Sequence, residues 1–392
     1  MSTDATNSMQ NELRKYVAPE FVFGQGALDL VSQYAENFGA GKALVVTDPG
    51  VRAAGWTARI EATLDGAAIP YVIFDRLTIN PKDFEVMQGA EFCRAENCDL
   101  IIAVGGGSPM DCAKGISIVS TNQKHILEFE GVDEVAVPGL PLICIPTTAG
   151  SSADVSQFAI ITDTARHVKI AIISKTLVPD VALIDPQTTT TMPPELTAAT
   201  GMDALVHGIE AYVSNASSPL TDLCALESIR LVASHLEKAV HQPQDLDARN
   251  QMMLASLMAG LAFSNASLGL VHSMSHSLGG LLNLAHGDCN AILLTPVVAF
   301  NFRAVPERYA RIGEAMGLTL RHLAADEQPR VLQQFLSDLR HRVGIYQTLG
   351  ELGVTRSDLA QLASAAFRDP CSATNPVQPT IEEIESLYAQ AL

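Results

Sequence analysis

The stretch DLIIAVGGGSPMDCAKG (99–115) runs from an unbroken apolar segment into three glycines and then into residues suited to opening a helix. A short run rich in Ile and Val, without polar alternation, is the pattern of a strand buried on both faces, as in a parallel sheet. The order of residues places Ser108 at an N-cap, Pro109 at the first helical position and Asp111 near the third, close to a capping box, so a helix is predicted to begin there. Gly105, Gly106 and Gly107 let a ligand approach the backbone, and the bare N–H groups and dipole of the following helix favour an anion such as a pyrophosphate. A tight, well-capped turn that binds nothing uses the same residues. GQGALD (24–29) is not a rival phosphate motif, since Asp29 stands where a third glycine belongs, and GGGSPMDCAK lacks the Gly-Lys-Ser/Thr ending of a Walker loop.

Outward from this stretch, KALVVTD (42–48), YVIFDRL (71–77), LPLICIPTT (140–148) and VALID (181–185) repeat the buried-strand pattern. They alternate with helix-length segments at 51–64 and 83–96, which implies right-handed crossovers and a parallel sheet. QFAIITD (157–163) and KIAIIS (169–174) read as a hairpin inserted in that series. After Asp185 the strand signals stop, and helical periodicities follow at 194–213, 219–240, 246–265, 267–284 and through the C-terminal stretches. The expected fold is an α/β N-terminal dinucleotide-binding domain with a mainly parallel, Rossmann-like sheet, residues 1–187, and an all-α C-terminal metal-binding domain, residues 188–392. The boundary falls in PQTTTTMPP (186–194), and 392 residues suit two domains of ordinary size.

Composition excludes several classes of function. A net charge of −18 without a Lys/Arg cluster repels nucleic-acid backbones and anionic lipid, so neither nucleic acid nor membrane is an expected partner. The opening residues MSTDATNSMQNELRKY contain no apolar signal-peptide core, and no apolar run approaches the roughly 18–20 residues of a membrane span, so a cytoplasmic location is expected. Seven scattered cysteines without a C-x-x-C pair argue against a disulfide framework and a thiolate zinc site.

Candidate ligand-binding residues gather at two places. Asp48 ends one strand pattern, at a sheet edge where ligands bind, and could accept hydrogen bonds from an adenosine ribose while repelling a 2′-phosphate, which favours NAD over NADP; it could equally cap a helix. The small and hydroxylated residues of IPTTAGSSADVS (145–156) could form a second wall for the same ligand. In GMDALVHGIEAY (201–212), Asp203 and His207 lie four residues apart and so share a helix face. SLGLVHSMSHSLGGLLNLAHGDCN (267–290) adds His272, His276 and His286, with His286 just before Gly287 where the helix is expected to end. Burying such groups without partners is costly, so they must satisfy one another or a cation. One Asp oxygen and three His nitrogens fill a tetrahedral zinc shell, whereas Fe²⁺ readily takes more ligands and keeps room for substrate. Iron is favoured, and Zn²⁺, Mn²⁺ or Co²⁺ would fit.

Together these residues resemble the iron-dependent (group III) alcohol dehydrogenase family. The resemblance extends over VTDPG (46–50), GGGSPMDCAKG (105–115), IPTTAG (145–150), MPPELTAATGMDALVHGIEAY (192–212), AGLAFSNASLGLVHSMSHSLGG (259–280), AHGDCNAILL (285–294) and CSATNP (371–376). It implies metal ligation by Asp203, His207, His272 and His286, and a place for His276 near the nicotinamide, where it could relay a proton. It further implies that the GGGS segment through Ser108 holds the pyrophosphate, Asp48 the adenosine ribose, Thr147 and Thr148 the cofactor wall and Lys169 a cofactor oxygen, with Asp111 in the same cofactor-binding segment. Asn80, Phe158, Phe263 and Cys371 are implied near substrate or nicotinamide. Where many members read TTAGTGSEVT this chain reads TTAGSSADVS, with Ser152 for Gly and Asp154 for Glu, which puts the local loop geometry in question. The implied activity is hydride transfer between a small primary alcohol or diol and NAD, with Fe²⁺ as Lewis acid in an inter-domain cleft, in a homodimer or larger homo-oligomer. Two other readings remain open: a related NAD- and metal-dependent lyase resembling dehydroquinate synthase, against which basic residues are sparse, and a non-catalytic metal- or nucleotide-binding protein.

Overall fold

The structure, a computed structural model, describes residues 14–392. The opening residues read above for a signal peptide lie outside the described residues up to residue 13.

Among the described residues of the first half lie nine strands: β1 (Glu20–Phe23), β2 (Ala43–Val46), β3 (Tyr71–Phe74), β4 (Leu100–Gly105), β5 (Gly131–Val132), β6 (Leu142–Pro146), β7 (Phe158–Asp163), β8 (Val168–Ile173) and β9 (Val181–Ile184). Six of them form one all-parallel sheet in the order β1-β9-β6-β4-β2-β3. Strands β2, β4, β6 and β9 are buried throughout, as their unalternated apolar sequences require. The sequence-predicted hairpin does form, with β7 antiparallel to β8, but it joins β5 in a separate three-stranded sheet rather than the main series.

Helices α1 (Val31–Asn37), α2 (Pro49–Ala53), α3 (Trp56–Gly66), α4 (Asp83–Ala95) and α5 (Gly107–Asn122) alternate with these strands. The single helix expected over 51–64 is two, because Gly55 takes a left-handed φ of 88° between α2 and α3. The helix after the three glycines starts earlier than the capping pattern implied. Gly106 is its N-cap and Ser108 and Pro109 are already inside the first turn, where proline's missing N–H costs nothing.

Among the described residues no strand follows Ile184, and the rest is helical: α6 (Pro194–Val213), α7 (Pro219–His241), α8 (Leu246–Ala266), α9 (Leu270–Leu282), α10 (His286–Phe302), α11 (Pro306–Ala315), α12 (Gln328–Arg342), α13 (Leu359–Arg368) and α14 (Ile381–Ala391). PQTTTTMPP begins as a 3₁₀ turn over Pro186–Thr191, consistent with its poor fit to an α-helix interior. His286 does not end a helix. Asn283, at a left-handed φ of 54°, stops α9, and His286 opens α10. Gly287 serves packing instead, since a Cβ there would lie 2.5 Å from the Ala199 carbonyl oxygen on α6.

The main sheet has a core on each face, one including Leu44, Ile101 and Cys144 and the other Val45, Ile102 and Ile143. A third core fills the helical half and takes in Val155, Phe158 and Ile184 from the first half, so the two halves are packed together and not merely tethered. The carboxyl ends of β2, β4 and β6 open toward α6 and α9 across a shared cavity, lined by Asp48, Gly106 and Thr147 on one side and Asp203, His207 and His272 on the other.

Candidate metal centre and cofactor cleft

Helix α6 is buried over most of its length, so Asp203 and His207, one turn apart, project into a dry setting, each 4% exposed. Ser267, at φ 60°, ends α8, and α9 leaves at 98° to it, which aims His272 and His276 into the same place. His286 arrives from the first turn of α10. Asp203 Oδ1 lies 3.8 Å from His207 Nε2, 3.6 Å from His272 Nε2 and 3.8 Å from His286 Nε2. The donor atoms of Asp203, His207 and His272 all lie within 4.8 Å of one another, close enough to share one metal ion, and His286 Nε2 stands beside Asp203 at the edge of that group.

Each imidazole is turned by a partner at its other nitrogen. His207 Nδ1 meets the Gly150 carbonyl at 3.1 Å, His272 Nδ1 meets Glu210 Oε2 at 2.6 Å, His276 Nδ1 meets Asp369 Oδ2 at 2.8 Å, and His286 Nδ1 meets Ser275 Oγ at 2.9 Å. Carbonyl and carboxylate oxygens only accept, so Nδ1 donates at His207, His272 and His276, which leaves Nε2 toward the cavity. Glu210 completes an Asp203, His207, Glu210 face on α6, and also accepts from the N–H groups of Gly269 (3.0 Å) and Val271 (2.6 Å) at the start of α9. Asn290, one turn after His286, donates to Asp203 Oδ1 at 2.7 Å. Glu210, Asn290 and Asp369 were not singled out from sequence. The first two obey the same helical spacing that flagged Asp203 and His207, and Asp369 carried no such signal.

The electrostatics keep the Asp203 carboxylate ionised and the His207 and His286 imidazoles neutral. Burial pushes Asp203 up, but His207, His272 and His286 outweigh it and leave its carboxyl well below the usual range. Burial pulls His207 down to about 4 and His286 well below its ordinary value, whereas at His272 hydrogen bonds to Asp203 and Glu210 overcome burial and raise it to about 9.

On the facing wall Gly106 and Gly107 begin α5 with no side chain capping them. A Cβ on Gly106 would come within 3.1 Å of Thr148, and one on Gly107 within 3.1 Å of Ser151, so a side chain at either position would require its neighbour to give by a few tenths of an ångström. Thr147, Thr148, Ser108 and Asp111 line the cavity, but Ser108 Oγ accepts from Asn80 N at 3.3 Å and Asp111 Oδ2 from Ile160 N at 3.2 Å. Burial raises Asp111 to about 6, offset in part by Lys114. Gly105 is not at the cavity. It is the last residue of β4, paired with Pro146, and its φ of 152° and close approach to Pro109, which a Cβ would meet at 2.6 Å, explain the glycine. Asp48 lines the cavity and caps α2, its Oδ1 accepting from Val51 N at 2.9 Å. Lys169 reaches in from β8, with burial lowering it to about 8 and with no ion pair among the described residues.

Near the metal donors, Phe263 stacks on His207 with centroids 4.3 Å apart, and Phe158 packs on Phe263 at 5.7 Å. Asn80 lies at the cavity edge, where its Nδ2 donates to Asn283 Oδ1 at 2.9 Å and bridges the two halves. Cys371 does not line the cavity; it is 1% exposed behind His276 and beside Asp369, in the 3₁₀ turn Pro370–Thr374. Ser152, set against a glycine by the resemblance, holds a left-handed φ of 51°, with its hydroxyl donating to the Ser256 carbonyl at 2.6 Å.

A cavity of about 550 Å³ with a helix N-terminus on one side and an Asp/His donor set on the other suits an enzyme that holds an anionic, nucleotide-like cofactor beside a metal ion. Sequence comparison matches residues 18–186 to "Iron-containing alcohol dehydrogenase" and residues 197–392 to "Fe-containing alcohol dehydrogenase family, C-terminal". The chain belongs to the iron-containing alcohol dehydrogenase family. It is 42% identical over 390 residues to alcohol dehydrogenase 4 of Schizosaccharomyces pombe, covering 99% of this chain and 91% of that one. It is 38% identical to the NAD-dependent methanol dehydrogenase of Bacillus methanolicus, over 96% of this chain and 99% of the relative. Its fold matches the crystal structure of a 1,3-propanediol oxidoreductase with a TM-score of 0.94 at 39% identity, covering 97% of this chain and all of the other. These findings favour an NAD-dependent, iron-containing alcohol dehydrogenase over the lyase and the non-catalytic reading.

Proposed function

We propose that this protein oxidises small primary alcohols and diols with NAD, and reduces the corresponding aldehydes, in the cavity between residues 1–187 and 188–392, each acting as one functional unit. The observation that carries the proposal is the approach of His207, His272 and His286 Nε2 to within 3.6–3.8 Å of Asp203 Oδ1, in the cavity that also receives the N-terminus of α5.

Asp203, His207, His272 and His286 would hold the metal, which as Fe²⁺ would supply a Lewis acid able to lower the alcohol's pKa, and Zn²⁺, Mn²⁺ or Co²⁺ would fit the same donors. The N–H groups after Gly106 would bind the pyrophosphate and Asp48 the adenosine ribose, Thr147 and Thr148 would line the cofactor's path with Gly107, Ser108 and Asp111, and Lys169 would donate to a cofactor oxygen. Phe158, Phe263 and Leu268 wall the space beside His207 and His272, so it admits a short carbon chain and little water. Asn80 lines the rim, where it would face the nicotinamide. His276 presents Nε2 to the cavity with Nδ1 held by Asp369, an arrangement able to take a proton from the substrate hydroxyl. A cytoplasmic location suits seven free cysteines, six of them buried. No single helix among the described residues is long and apolar enough to cross a membrane. Assembly as a homodimer or larger homo-oligomer is carried over from the resemblance and is read by light scattering.

The test is metal analysis together with NAD-linked oxidation of short primary alcohols and terminal diols, before and after chelation and after Fe²⁺ is restored. Loss on chelation and recovery with Fe²⁺ are expected. Full turnover by protein shown to hold no metal would overturn the proposal.

A further inference from the structure

Helix α4 ends in a turn with both of its backbone bonds made. Asn97 takes a left-handed φ of 54° and donates its N–H to the Arg94 carbonyl at 3.1 Å, and Cys98 N reaches back to the Cys93 carbonyl at 3.0 Å. These two bonds define a Schellman motif, in which the third-from-last helical residue and the second residue past the cap bring their side chains together. Helix α3 ends the same way, and there the two places hold Leu64 and Ile69, both in the apolar core. Helix α1 fills them with Ala35 and Ala40. In α4 they hold Cys93 and Cys98.

Two thiols in this contact are placed for a covalent bond. A disulfide requires Cα atoms no more than about 7 Å apart. With Cys98 N 3.0 Å from Cys93 O, standard backbone dimensions keep the two Cα atoms within about that distance. Cys93 Sγ lies 4.0 Å from the Cys98 carbonyl oxygen, and hydrogen bonding from the Cys98 thiol lowers the Cys93 thiol against the opposing effect of burial. Cys93 is fully buried, whereas Cys98 is 8% exposed, between exposed Asn97 and Asp99. The turn is also held from outside, since Asp99 Oδ1 accepts from Gly41 N and Lys42 N at 3.0 Å each and Lys42 pairs with Glu96 at 2.6 Å. Packing as a small apolar group accounts for either cysteine alone, but it does not call for sulfur at both places of one contact.

We propose that Cys93 and Cys98 are a reversible oxidation site, which a low-molecular-weight disulfide converts to an intramolecular disulfide tying the end of α4 to the start of β4. The Cys98 thiolate attacks one sulfur of the oxidant, which forms a mixed disulfide and releases one thiolate. The Cys93 thiolate then attacks the Cys98 sulfur, which closes the Cys93–Cys98 bond and releases the second. The two cysteine protons pass to the released thiolates, so the protein loses two electrons and two protons and the oxidant becomes two thiols. A thiol reductant reverses both steps. The pair lies at the opposite end of β4 from Gly105, so the bond acts on the frame of the sheet and not on the cavity.

Oxidised glutathione, applied to the folded full-length protein and removed before the chain is unfolded and its free thiols alkylated, tests this. Trypsin cleaves after Lys82, Arg94 and Lys114, which puts Cys93 in peptide 83–94 and Cys98 in peptide 95–114 together with Cys112. The expected product is these two peptides joined, two hydrogens lighter than their sum and separated by dithiothreitol, with fragmentation placing the link at Cys98 and leaving Cys112 alkylated. Cys98→Ser should abolish the link, and if that variant does not fold, fragmentation of the wild-type product decides alone. The linked protein should melt a few degrees higher than the reduced one, because the bond restricts the unfolded chain. Peptides that stay separate under oxidised glutathione, a link at Cys112, or linked protein that melts no higher than reduced protein would overturn the proposal.

Discussion

On one side of the cavity, Gly106, Gly107, Thr147 and Thr148 offer backbone and hydroxyl groups at the ends of parallel strands. On the other, Asp203, His207, His272 and His286 offer side-chain lone pairs from three helices. The first wall is shaped by backbone angles and by the lack of a Cβ, so it needs few supporting side chains. The second needs a partner behind almost every ligand, because an imidazole on a helix can rotate and a buried carboxylate must be neutralised. The glycine wall should therefore fail when atoms are added, and the helical wall when atoms behind it are removed.

The largest effect is expected at Glu210. Glu210→Ala leaves the N–H groups of Gly269 and Val271 and His272 Nδ1 without their acceptor. A loss of about 3–5 kcal/mol in denaturant unfolding follows, with metal affinity down roughly 10–100-fold. Unchanged metal affinity would break the claim that the helical wall depends on what stands behind it. On the opposite wall, Gly105→Ala adds a Cβ 2.6 Å from Pro109 Cγ at a φ of 152°. A cost of roughly 2–3 kcal/mol is expected, with weaker NADH binding by fluorescence titration, although Gly105 itself does not face the cavity.

Asp154 sharpens the comparison through pH. Burial raises its carboxyl to about 6, with Lys114 partly offsetting. Its folded pKa is above the unfolded value, so the folded chain holds the proton more tightly, and stability is lost as pH rises from about 4 through about 6. Asp154→Asn should remove that slope and raise stability at pH 7 by on the order of 2 kcal/mol. A melting temperature with the same pH dependence as wild type would show that Asp154 does not contribute it. The smallest effect on stability is expected for Asp48→Gly, a few tenths of a kcal/mol for a lost cap. The NAD/NADP rate ratio should fall, and a constant ratio would leave Asp48 as the cap of α2 and nothing more.

Much of this molecule was legible in the chain itself. Buried strands announce themselves by unbroken Val and Ile runs, and α6, α7 and α8 have bounds within a residue of their periodic patterns. Asp203, His207, His272 and His286 were visible because polar groups on apolar helices need partners. Local cues failed where a glycine or asparagine had two uses. Gly287 looked like a helix stop but serves a close approach to Ala199, while Asn283 does the stopping.

The sequence by itself determined the parallel sheet, the helical second half and the chemical types gathered for a metal and a nicotinamide cofactor, because periodicity and burial cost act over a few turns of chain. Only the tertiary structure decided which groups stand behind the ligands. Glu210 reaches His272 across 62 positions, Asp369 reaches His276 across 93, and Asn290 reaches Asp203 across 87. Such pairings depend on the crossing of α6, α9 and α10 and the turn before α14, and no local pattern carries the relative placement of elements so far apart.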